Sequence, residues 1–361
     1  MKIVYPEARG EARMVKLTQG TKYLVTCPGR SNALVKTKSK VADLICSSGE
    51  LRLTGQSNSR KIQWIELDCL RKPQPTLRLA QKIQCGEGGV MYTLGWSLAK
   101  IVLPQIHVCF NPTTETTKFT WHAVQGKHIA AKSVDAGRPS FKSAEMFSAD
   151  VSSLYSKKNQ ERLADEVLGS RKILTVDGQQ FLAKGHLAPD ADFVYTFEQD
   201  ATYYYANVVP QWQGINNGNW KRLENDIRDL AKKKKRTLEV WTGTYGTLQL
   251  PDANNNHIDL FLGLPEKLKI IPVPALVWKV VHDIKSRQAV AIVGVNELTG
   301  KGKAKELSLF QPPCRDLCHE LSWIDWDTSD RERGLAFCCQ VKDLKPTIPV
   351  LPNLGSVTLL K

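Results

Sequence analysis

The segment Phe181-Leu182-Ala183-Lys184-Gly185-His186-Leu187-Ala188-Pro189-Asp190 reads as a strand ending in a Gly-His pair before a proline. A second segment runs from Tyr203-Tyr204-Tyr205 through Asn216-Asn217-Gly218-Asn219-Trp220 into a helical stretch that carries Glu224 and Arg228. His186 is the titratable base in this neighbourhood whose ordinary pKa lies near neutrality, so it can take a proton from an attacking water. Lys184 precedes it by two residues and projects to the same strand face. With Arg228 it can offset the charge that grows on a five-coordinate phosphorus. Glu224 and Arg228 are four apart and share a helical face as an ion pair. Asn216, just ahead of the helix, can cap backbone donors or bind a hard cation. Because a carboxamide brings no charge, a magnesium ion there keeps most of its water and needs a substrate phosphate to complete its shell.

Each feature has a duller reading. A lone His after Gly is usually a turn or core residue, a pre-helix Asn is usually a cap, and a Glu/Arg pair is usually solvated and worth a few tenths of a kcal/mol. Their conjunction around one chemistry carries the argument.

The elements that must position these groups follow from periodicity. Trp220, Leu223, Ile227 and Leu230 recur at three- and four-residue steps and make one apolar stripe on a helix from Trp220 to about Lys233. Tyr155 to Leu168 has the same period. Ile106 to Phe110 and Lys118 to His122 read as strands, and Leu276–Val281 with Ala289–Val295 as a buried strand pair. Residues 1 to about 105 show only short strands between turns: Tyr23 to Val25, Leu51 to Thr54 and Ile62 to Ile65. Strands and helices without regular alternation predict an α+β fold. The division expected is a basic β-rich domain over 1–105 and a second domain over 106–361. Lys36, Lys38 and Lys40 alternate along what reads as one exposed strand face. The basic run Lys232 to Arg236 ends the Trp220 helix and reads either as a phosphate contact or nuclear address or as solvated cations that favour the macrodipole.

Composition sets the outer limits. The chain has 361 residues and a formal charge of +14, with 42% hydrophobic and 24% charged residues, which excludes a largely disordered chain. No stretch approaches the roughly 18 apolar residues of a membrane span. Residues 1–120 hold 18 Lys+Arg against 8 Asp+Glu, so the first third carries most of the positive field. Such a field attracts polyanions, nucleic acid or heparin-like sugars, or serves solubility alone. The nine cysteines lack the CxxC pairs of a zinc site, and Cys314-x-x-x-Cys318 with Cys338-Cys339 fits bridging better. A disulfide framework with one unpaired thiol is expected, and with it export. The start at Met1 shows no apolar leader core, so a secreted form implies a leader removed upstream.

The spacing Asn216, Gly218, Trp220, Glu224, Arg228, together with Lys184-Gly185-His186, resembles the DNA/RNA non-specific endonuclease family of the ββα-metal superfamily. It is most similar to the secreted arthropod branch, which includes crustacean duplex-specific nuclease and insect double-stranded ribonucleases. The resemblance implies a ββα-metal nuclease domain built on antiparallel sheet with flanking helices, behind a small disulfide-stapled β-rich domain. It implies His186 as general base and Asn216 as the sole protein ligand of Mg²⁺, with Mn²⁺ as a substitute. Arg138, in Gly137-Arg138-Pro139-Ser140-Phe141, Lys184 and Arg228 would grip phosphoryl oxygens, and Glu224 would orient water and Arg228. Lys184 stands where the wider family has Arg, keeping the charge and losing the bidentate fork. The implied activity is Mg²⁺-dependent hydrolysis of double-stranded RNA or DNA to 5′-phosphate products with little sequence preference, Lys36, Lys38 and Lys40 widening the footprint. The alternative is a nucleic-acid-binding member with weak or no turnover; a heparin-type binder would leave His186 and Asn216 unexplained.

Overall fold

Strands carry most of the architecture, as the short alternating segments predict. A computed structural model describes residues 3–9, 12–54, 59–98, 101–134, 137–169, 180–297 and 314–361. The central sheet runs, edge to edge, through Ala336–Cys339, Gln288–Val295, Pro274–Asp283, Thr237–Thr247, Thr116–Gln125, Ile101–Asn111, Val90–Leu98 and Thr76–Gln84. Every pairing in that order is antiparallel, and Thr358–Leu359 adds a short parallel contact to Gln288–Val295. The predicted buried pair is adjacent, with Val280 opposite Ala291 and Trp278 opposite Val293. The fold is α+β. Among the described residues, no helix is long and apolar enough to cross a membrane.

Side-chain alternation gives the sheet two different faces. Phe119, Trp241, Trp278 and Val280 point to one and pack on Val341, Leu344 and Ile348. Val124, Leu238, Val240, Val277 and Val281 point to the other, where the helix Lys221–Lys234 lays down Leu223, Ile227 and Leu230 beside Trp220. The stripe read from the sequence is thus the helix's buried face. Full burial of each such side chain contributes about 1.5–3 kcal/mol. The helix stops at Lys235, which takes a left-handed conformation at φ 50°.

The predicted helix over Tyr155–Leu168 is observed as Lys157–Leu168, and a separate short helix, Val151–Leu154, precedes it. Ser156 separates them, its hydroxyl accepting from Asn159 N–H as an N-cap. From Lys157–Leu168, the buried Gln160 exchanges two bonds with the backbone of Leu182 and so anchors the strand that ends at His186.

A separate four-stranded sheet, Lys22–Thr26, Val41–Ser47, Glu50–Thr54 and Ser59–Ile62, encloses a small core of Leu34, Ala42, Leu44 and Leu53. The Ile62–Ile65 strand ends early, at Ile62, in a short helical turn from Trp64 to Glu66. The boundary drawn at 105/106 falls inside the strand Ile101–Asn111, whereas the hydrogen-bonding break comes before Thr76. Turn density misled there, because Thr76–Gln84 and Val90–Leu98 look like their N-terminal neighbours yet pair into the central sheet. Lys36, Lys38 and Lys40 do not share a strand face. They lie in a turn closed by Leu34 N–H to Ser39 O at 2.9 Å and Lys38 N–H to Leu34 O at 2.9 Å, with Lys38 at φ 55°. Four disulfides form, Cys27–Cys69, Cys85–Cys109, Cys314–Cys339 and Cys318–Cys338, and Cys46 is free.

Candidate active site

His186 closes the strand Leu182–His186, which pairs antiparallel with Val208–Trp212, His186 opposite Val208 and Leu182 opposite Trp212. Gly185 is required by close approach, since a Cβ there would lie 2.8 Å from the Cβ of the buried Gln211. After His186 the chain is locked by the buried Asn207, which accepts from Ala188 N–H and donates to Ala188 O and Thr202 O. The imidazole rests between Phe141 and Tyr203, with ring centroids 5.4 and 5.1 Å away. Its Nε2 is buried without a hydrogen-bond partner among the described residues. Burial pushes its pKa down to about 4; Asp190 opposes this, and Arg138 and Lys279 reinforce it. The ring is therefore neutral at physiological pH, a stronger commitment to the base form than the ordinary value implied.

Around it, charged groups from separate elements interlock. Asp190 accepts from Tyr203 Oη at 2.8 Å. Asp192, two residues on and buried, accepts from Arg228 Nη1 at 2.7 Å and lies 2.8 Å from His122 Nε2. Burial alone would raise Asp192, but the His122 bond and the Arg228 charge outweigh it and hold it at about 2. Glu224 is pushed up to about 7 by burial, against the pull of Lys279, whose Nζ is 3.8 Å from Glu224 Oε1. The expected Glu224–Arg228 pair is not formed. Arg228 turns instead to Asp192 and Asn225, and Glu224 to Lys279, because a buried charge takes the partner that neighbouring elements deliver.

His186, Arg138, Glu224 and Arg228 are thus in one electrostatic neighbourhood. Arg138 is exposed in the loop leading to Phe141. It borders a cleft of about 600 Å³ that is also lined by Lys72, Gln74, Phe141, Lys142 and Asp200. Lys184 joins His186 through Phe141: its half-buried ammonium lies 5.4 Å from that ring, 5.5 Å from Tyr155 and 5.9 Å from Tyr205, and burial lowers its pKa. Asn216 begins a wide turn, Asn216–Trp220, that leads directly into the Glu224 helix. Its side chain makes no hydrogen bond among the described residues, so it does not cap the helix. Lys36, Lys38 and Lys40 lie in the connection between two strands of the N-terminal sheet, where Lys36 pairs with Glu66 at 2.5 Å.

Sequence reasoning missed the floor of the site. Thr120, Thr242 and Lys279 stand opposite one another on adjacent strands of the central sheet, on its helix-covered face. Lys279 Nζ donates to Thr242 Oγ1 at 2.8 Å and Leu187 O at 3.2 Å, and sits 5.1 Å from the Trp220 ring centroid. The available signal was a lysine in the middle of an otherwise apolar strand. Asp192 and His122 carried no comparable mark.

Residues 91–344 match the DNA/RNA non-specific endonuclease family. A salivary endonuclease of Lutzomyia longipalpis is 30% identical over 74% of this chain and 64% of its own length, so the match spans just under two thirds of that relative. Salivary protein Tsal1 of Glossina morsitans morsitans is 26% identical over 92% of this chain and 81% of its own. Among solved structures, an EndoG/EndoGI complex aligns at 17% identity with a TM-score of 0.36, covering 59% of this chain and 80% of that one. With its profile matched over more than half its length, this chain belongs to the DNA/RNA non-specific endonuclease family.

Proposed function

We propose that the protein is a secreted, metal-dependent endonuclease that hydrolyses phosphodiester bonds of double-stranded nucleic acid without sequence preference. The observation that carries the reading is the neutral, half-buried His186, whose Nε2 has no hydrogen-bond partner among the described residues and whose charged neighbours are Asp190, Arg138 and Lys279. A base that takes a proton needs a ring nitrogen not already engaged by another side chain.

The donors present suit a divalent cation. Asn216 offers a hard carboxamide oxygen with no competing bond among the described residues, and the acids Glu224, Asp192 and Asp190 are already held by Lys279, Arg228 and Tyr203. One neutral ligand fits an ion that keeps most of its water, Mg²⁺ or Mn²⁺. Bound there, the ion would supply Lewis-acid neutralisation of the scissile phosphate.

His186 Nε2 takes one proton of a water whose oxygen bonds to phosphorus as the bond to the 3′ oxygen breaks; the departing 3′ oxygen takes a proton from solvent, leaving a 3′ hydroxyl and a 5′ phosphate. Arg138 and Arg228 hold non-bridging oxygens, and Asp192 fixes the Arg228 guanidinium for that task. Lys184 adds charge from within its aromatic surround. The cleft beside Arg138, with Lys72 and Lys142 on its walls, offers the path for the strand beyond the cut. Cystines and salivary relatives support export.

The test is digestion of matched RNA and DNA duplexes with Mg²⁺ and with EDTA, beside a His186→Ala variant. Cleavage that needs the cation and His186, with binding retained in the variant, supports the reading. Binding without cleavage by the unaltered protein would make it a nucleic-acid-binding family member instead.

A further inference from the structure

We propose that Asn219 is a positioning residue for the cation site, pinning the turn that carries Asn216 to the C-terminal loop Asp327–Gly334. This rests on the reading of Asn216 as the cation ligand. The helical run from Gln213 does not pass smoothly into Lys221–Lys234: the turn Asn216–Trp220 is widened, and Gly218 leaves helical geometry at φ −87°, ψ −125°. Arg333 O forces the departure. It accepts from Asn219 N–H at 2.8 Å and lies 2.3 Å from where a Cβ of residue 218 would stand, so only glycine admits it.

Asn219 then spends both amide hydrogens on the same loop, donating to Asp327 O at 2.9 Å and Gly334 O at 2.8 Å. It is 2% exposed. Three donors from one residue therefore enter a single loop. That loop is held in turn by Ala336 N–H to Thr328 O and by Trp326 Nε1, which donates to Asp226 of the Glu224 helix at 2.7 Å. Cys314–Cys339 and Cys318–Cys338 staple its base. Each residue of an α-helix turns the next by about 100°, so the width of this turn decides which way Asn216 faces relative to Glu224. Widened turns of this kind recur at functional sites.

The experiment is calorimetric titration of the full chain with Mn²⁺ alone, without nucleic acid, for Asn219→Ala and for Asn219→Asp, which keeps the shape and loses the donors. Each variant's thermal unfolding is followed in parallel, so that one folded variant suffices. The expected result is a dissociation constant raised about tenfold, the effect of removing an outer partner of a metal ligand, with turnover restored by excess cation. A folded variant with unchanged cation affinity, or a loss that excess cation does not restore, overturns the proposal. Asn216→Ala run alongside separates the two readings. If it binds cation as the unaltered chain does, the site assignment fails; if it loses binding while both Asn219 variants keep it, only the clamp fails.

Discussion

Lys279 Nζ lies 3.8 Å from Glu224 Oε1 while donating to Leu187 O, the residue after His186, so one buried ammonium joins the acid on the helix to the chain beside the base. At 1% exposure burial lowers the pKa of this amine, and the Glu224 and Asp192 charges oppose that while three oxygens surround it. The first prediction concerns Lys279→Met, which keeps length and removes charge. Lys279 is the strongest influence holding Glu224 down, so its loss raises Glu224 above about 7 and leaves it protonated at neutral pH. Turnover is expected to fall about 10- to 100-fold at pH 7, the range for lost support of a catalytic group. It should recover partly at higher pH, with KM for duplex little changed. An unaltered pH profile would remove Lys279 from the site.

Glu198 gives a pH prediction away from the chemistry. Its Oε1 accepts from Tyr5 Oη at 2.8 Å and its Oε2 from the N–H groups of Val194 and Tyr195, and burial pushes it up to about 7 from an ordinary 4.5. A raised folded-state pKa means that folding takes up a proton between those values. The contribution is complete below about pH 4.5 and lost as pH rises through 7. Glu224 behaves alike, whereas His186, depressed to about 4, contributes above 6.5 and loses its share as pH falls toward 4. Glu198→Gln should flatten the decline in thermal stability between about pH 5 and 8 by up to about 3 kcal/mol. Parallel stability curves for the two proteins would refute it.

The α+β class, the Trp220–Leu230 stripe and the Leu276–Val281 strand were legible because burial imposes a period that the order of apolar residues reveals. The strand ending at His186 was legible because Gly185 and Pro189 punctuate it. The partners of Glu224 and Arg228 were not, since Lys279 and Asp192 arrive from strands and turns that no local pattern ties to the helix. Spacing also could not separate a strand face from a turn at Lys36, Lys38 and Lys40. Alternation of like residues is shared by both, and only the Leu34–Ser39 closure decides it. Nor could it show that Asn216 stands in a widened turn, because the cause is a carbonyl of Arg333, more than a hundred residues away.

The turn that carries Lys36, Lys38 and Lys40 bears on nucleic-acid binding. Lys38 and Lys40 are exposed at its tip and edge, while Lys36 is tied to Glu66. If the N-terminal sheet widens the polyanion footprint, each free lysine that meets a phosphate releases about one counterion and adds about 0.9 to the slope of log affinity against log salt. In a His186→Ala background, where duplex binds without being cut, Lys38→Ala with Lys40→Ala should lower that slope by about 2. Lys36→Ala should lower it less, because its charge is already committed. The affinity loss should be similar for every duplex sequence, since phosphate contacts carry no base information. A slope unchanged in the double variant would confine nucleic-acid binding to the cleft beside Arg138 and leave the basic turn a solvated surface.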